Sequence, residues 1–522
     1  MGFWELVGGL SENMFYGWGW PWLGLPGGIL LVFGLLRAPR ALGLLMLMLS
    51  ALAALVILAP HVAGTDRPGW HVSLFIGEFL VGVAVAAFVA RRASALLERL
   101  RGRWMQRSPL ARDARTDIRT VGNLLPEARD AYDPLPFCES GDRLFLGMDP
   151  DGNTVHVDQA LWRSSHVDIV GMTGSGKGVL AGVLLTQAVR QGEAVVVIDP
   201  KDDEYAPRVM ERAAREAGVP FYHLDLTGEA PQWNPLQGKT ADEIEELLVA
   251  SLGLGERGTE ADFYRLNDRR AAREFAQLYD DESLPILLET FRGEPAARKA
   301  TKFIDDMEEI AATPSARAEE GLDIAQAIDE GAVVYVRGSP RHSRILKLQK
   351  MFVLSVIQHC ERRDREEARQ VCLFLDEFRY LVSAPVLEAL ASIRDKRAHL
   401  VIAHQTVNDL RNVPGDLDPE QVVSSVTENC GLKFSYQVND PDTALWMARM
   451  SGNILVDDEV RSLEANTVLA ERERDIRGLR QSERYLVDTN MLQSLPPRCA
   501  VSYGNGLARF VFTSPVPVEQ SG

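Results

Sequence analysis

Residues 164–178 read SSHVDIVGMTGSGKG, and this stretch decides the fold class. The apolar run 167–170 predicts a buried strand, and the helix-like stretch 178–192 follows the glycine-rich turn. A strand, a glycine turn and a helix N-terminus are the context of a phosphate-binding loop, whose backbone N–H groups and helix end surround phosphates. The predicted nucleotide-binding residues are Gly171, Thr173, Gly174, Ser175, Gly176, Lys177 and Gly178. Lys177 is the residue expected to reach the terminal phosphates.

The last position of the loop departs from its consensus. Gly178 stands where a serine or threonine hydroxyl normally holds Mg²⁺. The sequence still predicts ATP and Mg²⁺ as ligands. The metal must then rest on the phosphates, on waters and on acidic residues from later in the chain.

Two further apolar runs end in polar residues that suit ATP hydrolysis. VCLFLDEF (371–378) predicts a central strand followed by Asp376, a candidate metal ligand, and Glu377, a candidate for polarising the attacking water. AHLVIAHQT (398–406) predicts a strand that ends at Gln405, whose amide can sense the γ-phosphate or orient water. The alternative for Gln405 is an amide that only bonds a turn.

Between these strands lies a basic turn. We expect it near the carboxyl edge of the sheet, where Arg394 neutralises charge at the ATP of a neighbouring subunit. Arg397 is the competing candidate, and the alternative is that both arginines face solvent.

The first ninety residues differ in composition from the rest. Apolar runs predict membrane spans at about 21–36, 41–60 and 72–90, with two spans as the alternative. The basic segment 91–119 predicts that the large C-terminal part is cytoplasmic, which makes a multi-pass protein of the bacterial inner membrane. Glu78, inside the third run, is a functional candidate, and the alternative is a carboxylate that faces another helix or is neutral when buried.

The charge balance limits the mode of nucleic-acid binding. The 522 residues carry a net charge of −17, which argues against a generally basic DNA-wrapping surface. It leaves open a ring channel, where only local charge matters. Five cysteines without a CxxC pair imply neither a zinc site nor a disulfide framework.

Alternating strand and helix patterns organise the rest of the chain as a doubly wound parallel sheet. The strand pattern stops after WNPL (233–236) and resumes at 332–339, which predicts an inserted all-helical domain. The charged segment 471–484 is expected to be a solvated helix. The predicted division is a transmembrane anchor (1–95), a basic linker and entry segment (96–163), a first nucleotide-binding part (164–238), the helical domain (239–328) and a second nucleotide-binding part (329–522).

The chain resembles the type IV coupling proteins of conjugation and type IV secretion, the TraG/TraD family. The matching segments are GMTGSGKGV (171–179), DPKDDE (199–204), WNPL (233–236), FLDEF (374–378), the Gln405 strand and 428–452. The resemblance implies a RecA-like α/β motor with an inserted all-helical domain and an N-terminal transmembrane helical anchor. It further implies a hexameric ATPase that recruits DNA, as a relaxase-bound single strand, or proteins, and drives them to a type IV secretion channel.

Two alternatives remain open at this point. The first is a double-stranded DNA translocase similar to FtsK and HerA, which the loop and the DPK strand also fit. The second is an adaptor that docks effector proteins and whose ATP site is largely structural.

Overall fold

The computed structural model describes residues 24–36, 46–51, 73, 76–88, 125–138, 141–256, 258, 261–466 and 470–518. The chain divides into two compact units, Met1–Arg112 and Asp113–Gly522. In the first unit, helix α1 (Gly24–Leu36) packs against the helical stretch 76–88. The contact is backbone to backbone, because a Cβ added at Gly28 would lie 2.2 Å from the carbonyl oxygen of Phe79.

The predicted localisation needs correction. In the part of the chain that the structure describes, no helix is both long and apolar enough to cross a membrane. This finding contradicts the prediction of a multi-pass inner-membrane protein. Most of the predicted span 41–60 and all of 91–119 lie outside the described residues.

The second unit is built on a large mixed sheet. The strands of the unit are β1 (Arg143–Met148), β2 (Thr154–Asp158), β3 (Val167–Val170), β4 (Ala194–Asp199), β5 (Phe221–Asp225), β6 (Val333–Arg337), β7 (Val371–Leu375), β8 (Ala398–His404), β9 (Leu432–Ser435), β10 (Asn453–Asn466), β11 (Ala470–Tyr485), β12 (Cys499–Tyr503) and β13 (Arg509–Phe512). The large sheet has the order β2-β1-β13-β12-β9-β3-β8-β7-β4-β6-β5, and its seven strands from β9 to β5 are parallel. Strands β10 and β11 form a separate two-stranded sheet. The predicted α/β class with a parallel-dominated sheet is therefore confirmed.

Helices cover both faces of the parallel strands, which explains why the central strands are wholly apolar. In β4, Val195 and Val197 face one apolar layer, and Val196 and Ile198 face the other. The remaining helices of the unit are α2 (Gln159–Ser164), α3 (Lys177–Arg190), α4 (Ala206–Ala217), α5 (Ala241–Ser251), α6 (Ala261–Leu278), α7 (Leu284–Phe291), α8 (Thr301–Ala311), α9 (Ile324–Asp329), α10 (Ser343–Arg362), α11 (Ala384–Ser392), α12 (Val407–Arg411), α13 (Pro419–Asn429), α14 (Pro441–Met450) and α15 (Thr489–Gln493).

Between β5 and β6, the regular elements of the described residues are helices, of which α5 to α9 are the α-helices. Their apolar side chains, such as Leu247, Phe275 and Phe303, belong to the same buried cluster as Val196 of β4 and Leu373 of β7. The helical segment and one face of the sheet therefore share a core.

Residues 471–484 are not the expected helix. They lie in β11, which pairs antiparallel with β10 from Asn453 opposite Tyr485 to Asn466 opposite Ala470. Charge composition alone does not distinguish a solvated helix from a strand whose backbone groups are paired with a partner, because strand formation depends on that partner.

Candidate nucleotide site

The phosphate-binding loop joins β3 to α3, as the sequence predicts. Gly171 has φ of 159° and Gly176 has φ of 125°, and a Cβ at either position would collide with the side chain of Tyr436 on the far side of the loop. Glycine is therefore required by both conformation and space. Lys177 begins α3, is 8% exposed, and donates hydrogen bonds to the carbonyl oxygens of Gly171 and Met172 at 2.5 and 3.2 Å.

Two further hydrogen bonds fix the shape of the loop. The hydroxyl of Ser175 donates to the carbonyl oxygen of Met172 at 2.7 Å. The backbone N–H of Arg498, which precedes β12, donates to the carbonyl oxygen of Ser175 at 3.1 Å. The loop is thus held from the C-terminal part of the chain, a contact that no sequence motif indicated.

The Asp-Glu pair lies at the carboxyl end of β7. The backbone N–H of Asp376 donates to the carbonyl oxygen of Ile198 in β4 at 3.1 Å. Glu377 adopts a left-handed conformation with φ of 46°, and its carboxylate is fully buried. A non-glycine residue in this region costs of order 1–3 kcal/mol and is common at functional sites.

Three polar groups converge on the buried carboxylate of Glu377. The amide of Gln405, at the end of β8, donates to Glu377 Oε1 at 2.7 Å. The ammonium group of Lys201 forms an ion pair with the same oxygen. The guanidinium of Arg379 lies 3.7 Å from Glu377 Oε2 and also contacts Asp409.

Lys201 and Arg379 are contacts of Glu377 that sequence reasoning missed. A signal for Lys201 existed, because it follows the apolar strand β4 by two residues and the carboxyl ends of parallel strands share one edge of the sheet. Arg379 had no comparable signal, since its approach to Glu377 depends on the left-handed turn at that residue.

Burial and neighbouring charges set the protonation of the site. Desolvation raises the pKa of Asp376 to about 6, while Lys201 opposes the shift and Glu377 adds to it. Desolvation, aided by Lys201, lowers the pKa of Lys177. Lys201 lies 4.0 Å from Asp376, so its positive charge favours the ionised form of that carboxylate.

A cavity of about 410 Å³ opens between the loop, the end of β4 and the end of β7. Its polar lining includes Thr173, Gly174, Gly176, Lys177, Gly178, Asp199, Lys201, Asp203 and Asp376. The lining joins a glycine loop with a lysine to a group of carboxylates, which are the donors that a nucleotide phosphate and Mg²⁺ require. The residues present therefore fit both groups.

Arg394 lies at the other edge of the sheet. Its turn precedes β8, and its guanidinium donates to the carbonyl oxygen of Ser164, which precedes β3, at 3.4 Å. Arg397 adopts φ of 55° and bonds the carbonyl oxygen of Ala368. The expectation that this turn lies near the carboxyl edge is wrong, because a residue that enters a parallel strand lies at its amino end. A role of Arg394 in a neighbouring subunit stays a prediction.

Two family profiles match separate parts of the chain. The profile described as the central domain of helicase HerA matches residues 146–225, which contain the phosphate-binding loop and the Asp199–Asp203 segment. The profile described as the type IV secretion-system coupling protein DNA-binding domain matches residues 324–507, which contain Asp376, Glu377 and Gln405. The chain carries a type IV coupling protein domain. The resemblance drawn from the sequence is thereby confirmed.

One relative of known name matches over a longer part of the chain. Mobilization protein A of Escherichia coli is 29% identical over 397 residues, a match that covers 67% of this chain and 66% of that protein. The sequence similarity thus extends over about two thirds of both chains.

Solved structures of a type IV coupling protein share the fold. The unbound bacterial conjugative coupling protein TrwBdeltaN70 matches with a TM-score of 0.53 at 15% identity, over 75% of this chain and 94% of that solved chain. The plasmid coupling protein TrwB in complex with ADP and Mg²⁺ matches with a TM-score of 0.52 at 16% identity, over 74% of this chain and 90% of that solved chain. At this identity the likeness establishes the TrwB-like fold.

Proposed function

We propose that this chain is an ATP-hydrolysing coupling protein that recruits DNA, as a relaxase-bound single strand, or protein substrates, and drives them to a type IV secretion channel. The observation that carries the proposal is the convergence of Lys177, Asp376, Glu377 and Gln405 beside one cavity at the carboxyl edge of the sheet. The coupling protein profile over 324–507 supports the transfer role.

Each side chain has a chemical task in this proposal. Lys177 binds the terminal phosphates, and Asp376 holds Mg²⁺, which when bound neutralises phosphate charge and orients the leaving group. Glu377 orients the attacking water and accepts its proton at the carboxylate. Gln405 fixes the position of that carboxylate through its 2.7 Å hydrogen bond.

Ring assembly is part of the proposal. Transport along a strand requires several motors around one path, and a closed ring requires interfaces in which each subunit contacts the next head to tail. We propose a homo-hexamer on the strength of the family resemblance. In such a ring, Arg394 contacts only the ATP of a neighbouring subunit, because the phosphate-binding loop of its own chain lies at the opposite edge of the sheet.

A second candidate function is a double-stranded DNA translocase. The observation that favours it is the match of residues 146–225 to the central domain of helicase HerA. The two functions differ in the nucleic acid that engages the motor, so they make different predictions about stimulation of ATP turnover.

The test is ATP hydrolysis measured alone, with single-stranded DNA and with double-stranded DNA. We expect turnover that single-stranded DNA stimulates, and Lys177→Ala is expected to lower it by about 10²–10³-fold, because an electrostatic contact to the reacting phosphates is lost. Lys299→Ala removes an exposed lysine in the helical segment and serves as the matched control. Stimulation by double-stranded DNA alone would favour the translocase, and DNA-independent turnover at the level of Lys177→Ala would contradict the motor.

A further inference from the structure

Gly178 leaves the loop without the hydroxyl that normally holds the metal, and the structure brings one carboxylate to that position. A Cβ added at Gly178 would lie 3.8 Å from Asp203 Oδ2. Both residues line the cavity that also contains Asp376. We propose that Asp203 replaces the missing hydroxyl and holds the nucleotide-bound Mg²⁺, directly or through one water. The inference rests on the proposed function, since it requires a nucleotide in this cavity.

The backbone of the segment after β4 directs the side chain of Asp203 toward the phosphate-binding loop. The carboxylate of Asp199 accepts hydrogen bonds from the backbone N–H groups of Lys201 at 2.7 Å and of Asp203 at 2.8 Å. Asp202 has φ of 65° and pairs with Arg337, which anchors the outer side of the turn. The turn is therefore fixed from both ends.

The two carboxylate oxygens of Asp203 have different surroundings. Oδ1 accepts a hydrogen bond at 2.7 Å from the backbone N–H of Tyr205, the residue that precedes helix α4. Oδ2 is the oxygen that faces Gly178. One oxygen thus positions the side chain and the other is directed toward the cavity.

An independent observation points to a ligand in the same place. Glu377 Oε2 is buried and accepts no hydrogen bond from the described residues, with Arg379 Nε 3.7 Å away, whereas the other oxygen, Oε1, is bonded to Gln405. Four carboxylates, of Asp199, Asp203, Asp376 and Glu377, adjoin three cationic side chains, of Lys177, Lys201 and Arg379. A divalent cation offsets the remaining negative charge, and Mg²⁺ is commonly held by one or two carboxylates together with phosphates and waters.

The experiment measures the affinity of a fluorescent ADP with Mg²⁺ and with EDTA, so that the ratio reports metal binding rather than turnover. In Asp203→Asn the amide oxygen keeps the bond to Tyr205, but the charge is lost. We expect the Mg²⁺-dependent gain in affinity to fall by about 10- to 100-fold. The affinity in EDTA is expected to stay within about threefold of wild type, because the phosphate contacts of the loop are intact.

Restoring the hydroxyl provides the decisive variant. Gly178 lies in helix α3 with its nearest neighbour at ordinary contact distance, so that a small side chain fits. Asp203→Asn combined with Gly178→Ser is expected to recover most of the Mg²⁺ effect, while Gly178→Ala in the same background is not. Glu204→Gln removes the adjacent exposed carboxylate as a matched control.

Outcomes separate this inference from the function on which it rests. An unchanged Mg²⁺ effect in Asp203→Asn would overturn the role of Asp203 while leaving the nucleotide site intact. Failure of serine to do better than alanine at position 178 would show that Asp203 does not substitute for a hydroxyl. Absence of any nucleotide binding by the wild-type chain would contradict the proposed function itself.

Discussion

At the carboxyl edge of the parallel strands, buried carboxylates adjoin an open cavity, whereas at the amino edge of the same strands the buried polar side chains are closed in by neighbours. Glu377 and Asp376 at the first edge contact Lys201 beside about 410 Å³ of free space. Glu193 at the second edge pairs with Arg163 at 2.9 Å, and Trp162 packs edge-on against His399 at 4.7 Å between ring centroids.

The amino edge even contains a set of side chains with metal-binding chemistry. Ligand atoms of Glu193, Cys372 and His399 lie within 4.8 Å of one another. The guanidinium of Arg163 already pairs with the carboxylate of Glu193, and this pairing disfavours the binding of a second cation there. We therefore interpret this group as a structural cluster.

The two edges also differ in the charge of their buried titratable side chains. Burial lowers the pKa of His166 and of His399 to about 3, so both rings are neutral near pH 7. Burial raises the pKa of Asp376 only to about 6, so its carboxylate is ionised at the same pH. The comparison teaches that a buried polar side chain does not by itself identify a functional site. Side chains that stay charged and adjoin an open cavity do identify one.

The largest expected effect comes from removing the charge of Glu377. Glu377→Gln keeps the shape of the side chain and the left-handed turn, but it removes the base that orients the attacking water. We expect turnover to fall by about 10²–10⁴-fold. The affinity for nucleotide in the presence of Mg²⁺ is expected to stay within about threefold of wild type. The variant therefore binds ATP without hydrolysing it at the normal rate, so the bound-ATP state accumulates.

Asp376→Asn is the matched comparison for that measurement. It removes the proposed metal ligand next to Glu377, so it is expected to weaken Mg²⁺-dependent nucleotide binding. Equal loss of ATP binding in both variants would show that the two carboxylates do not have the separate roles assigned here.

A smaller effect is expected at Gln405. Gln405→Ala removes the 2.7 Å hydrogen bond that holds the carboxylate of Glu377. A hydrogen bond to a charged group contributes about 1.5–3 kcal/mol, so turnover is expected to fall by about 10- to 100-fold. Gln326→Ala, at an exposed position of helix α9 where the amide donates to Glu330, is the control. Turnover equal to that of the control would mean that the amide has no catalytic role.

Local sequence was sufficient where the chemistry depends on neighbours along the chain. The glycine loop, its strand and its helix are contiguous, so 164–192 specified the position of Lys177. Asp376 and Gln405 each follow an apolar run, and parallel strands bring such ends to one edge. These residues could therefore be predicted from periodicity and topology.

Local sequence was insufficient where the partner is remote. The pairing of β10 with β11, the contact of Arg498 with the loop and the approach of Arg379 to Glu377 all depend on long-range geometry. The expected position of Arg394 at the carboxyl edge is wrong, because a turn between two strands that carry site residues need not lie at the edge where those residues lie. Residues that enter and leave one strand lie at opposite edges of the sheet.

The smallest predicted effect concerns the amino edge and the acid sensitivity of the fold. His399 is fully buried on β8, and desolvation, with minor contributions from His166 and Arg163, lowers its pKa from 6.5 to about 3. Below pH 6.5 the unfolded chain takes up a proton that the folded ring does not, so the free energy of unfolding falls as the pH decreases from about 6.5 toward 3. Between pH 7.5 and 5.5 this single ring accounts for about 1.4 kcal/mol.

His399→Gln removes the titrating ring, so the loss of unfolding free energy between pH 7.5 and 5.5 is expected to be smaller than in wild type by that amount. Urea unfolding at the two pH values measures the difference, and the comparison within each protein cancels any stability cost of the substitution itself. His223→Gln on β5, where the ring is exposed, is expected to leave the wild-type loss unchanged. If His399→Gln loses as much stability as wild type on acidification, the ring is protonated in the folded state. The buried histidine would then be charged at acidic pH, and its contrast with the ionised Asp376 at the carboxyl edge would be lost.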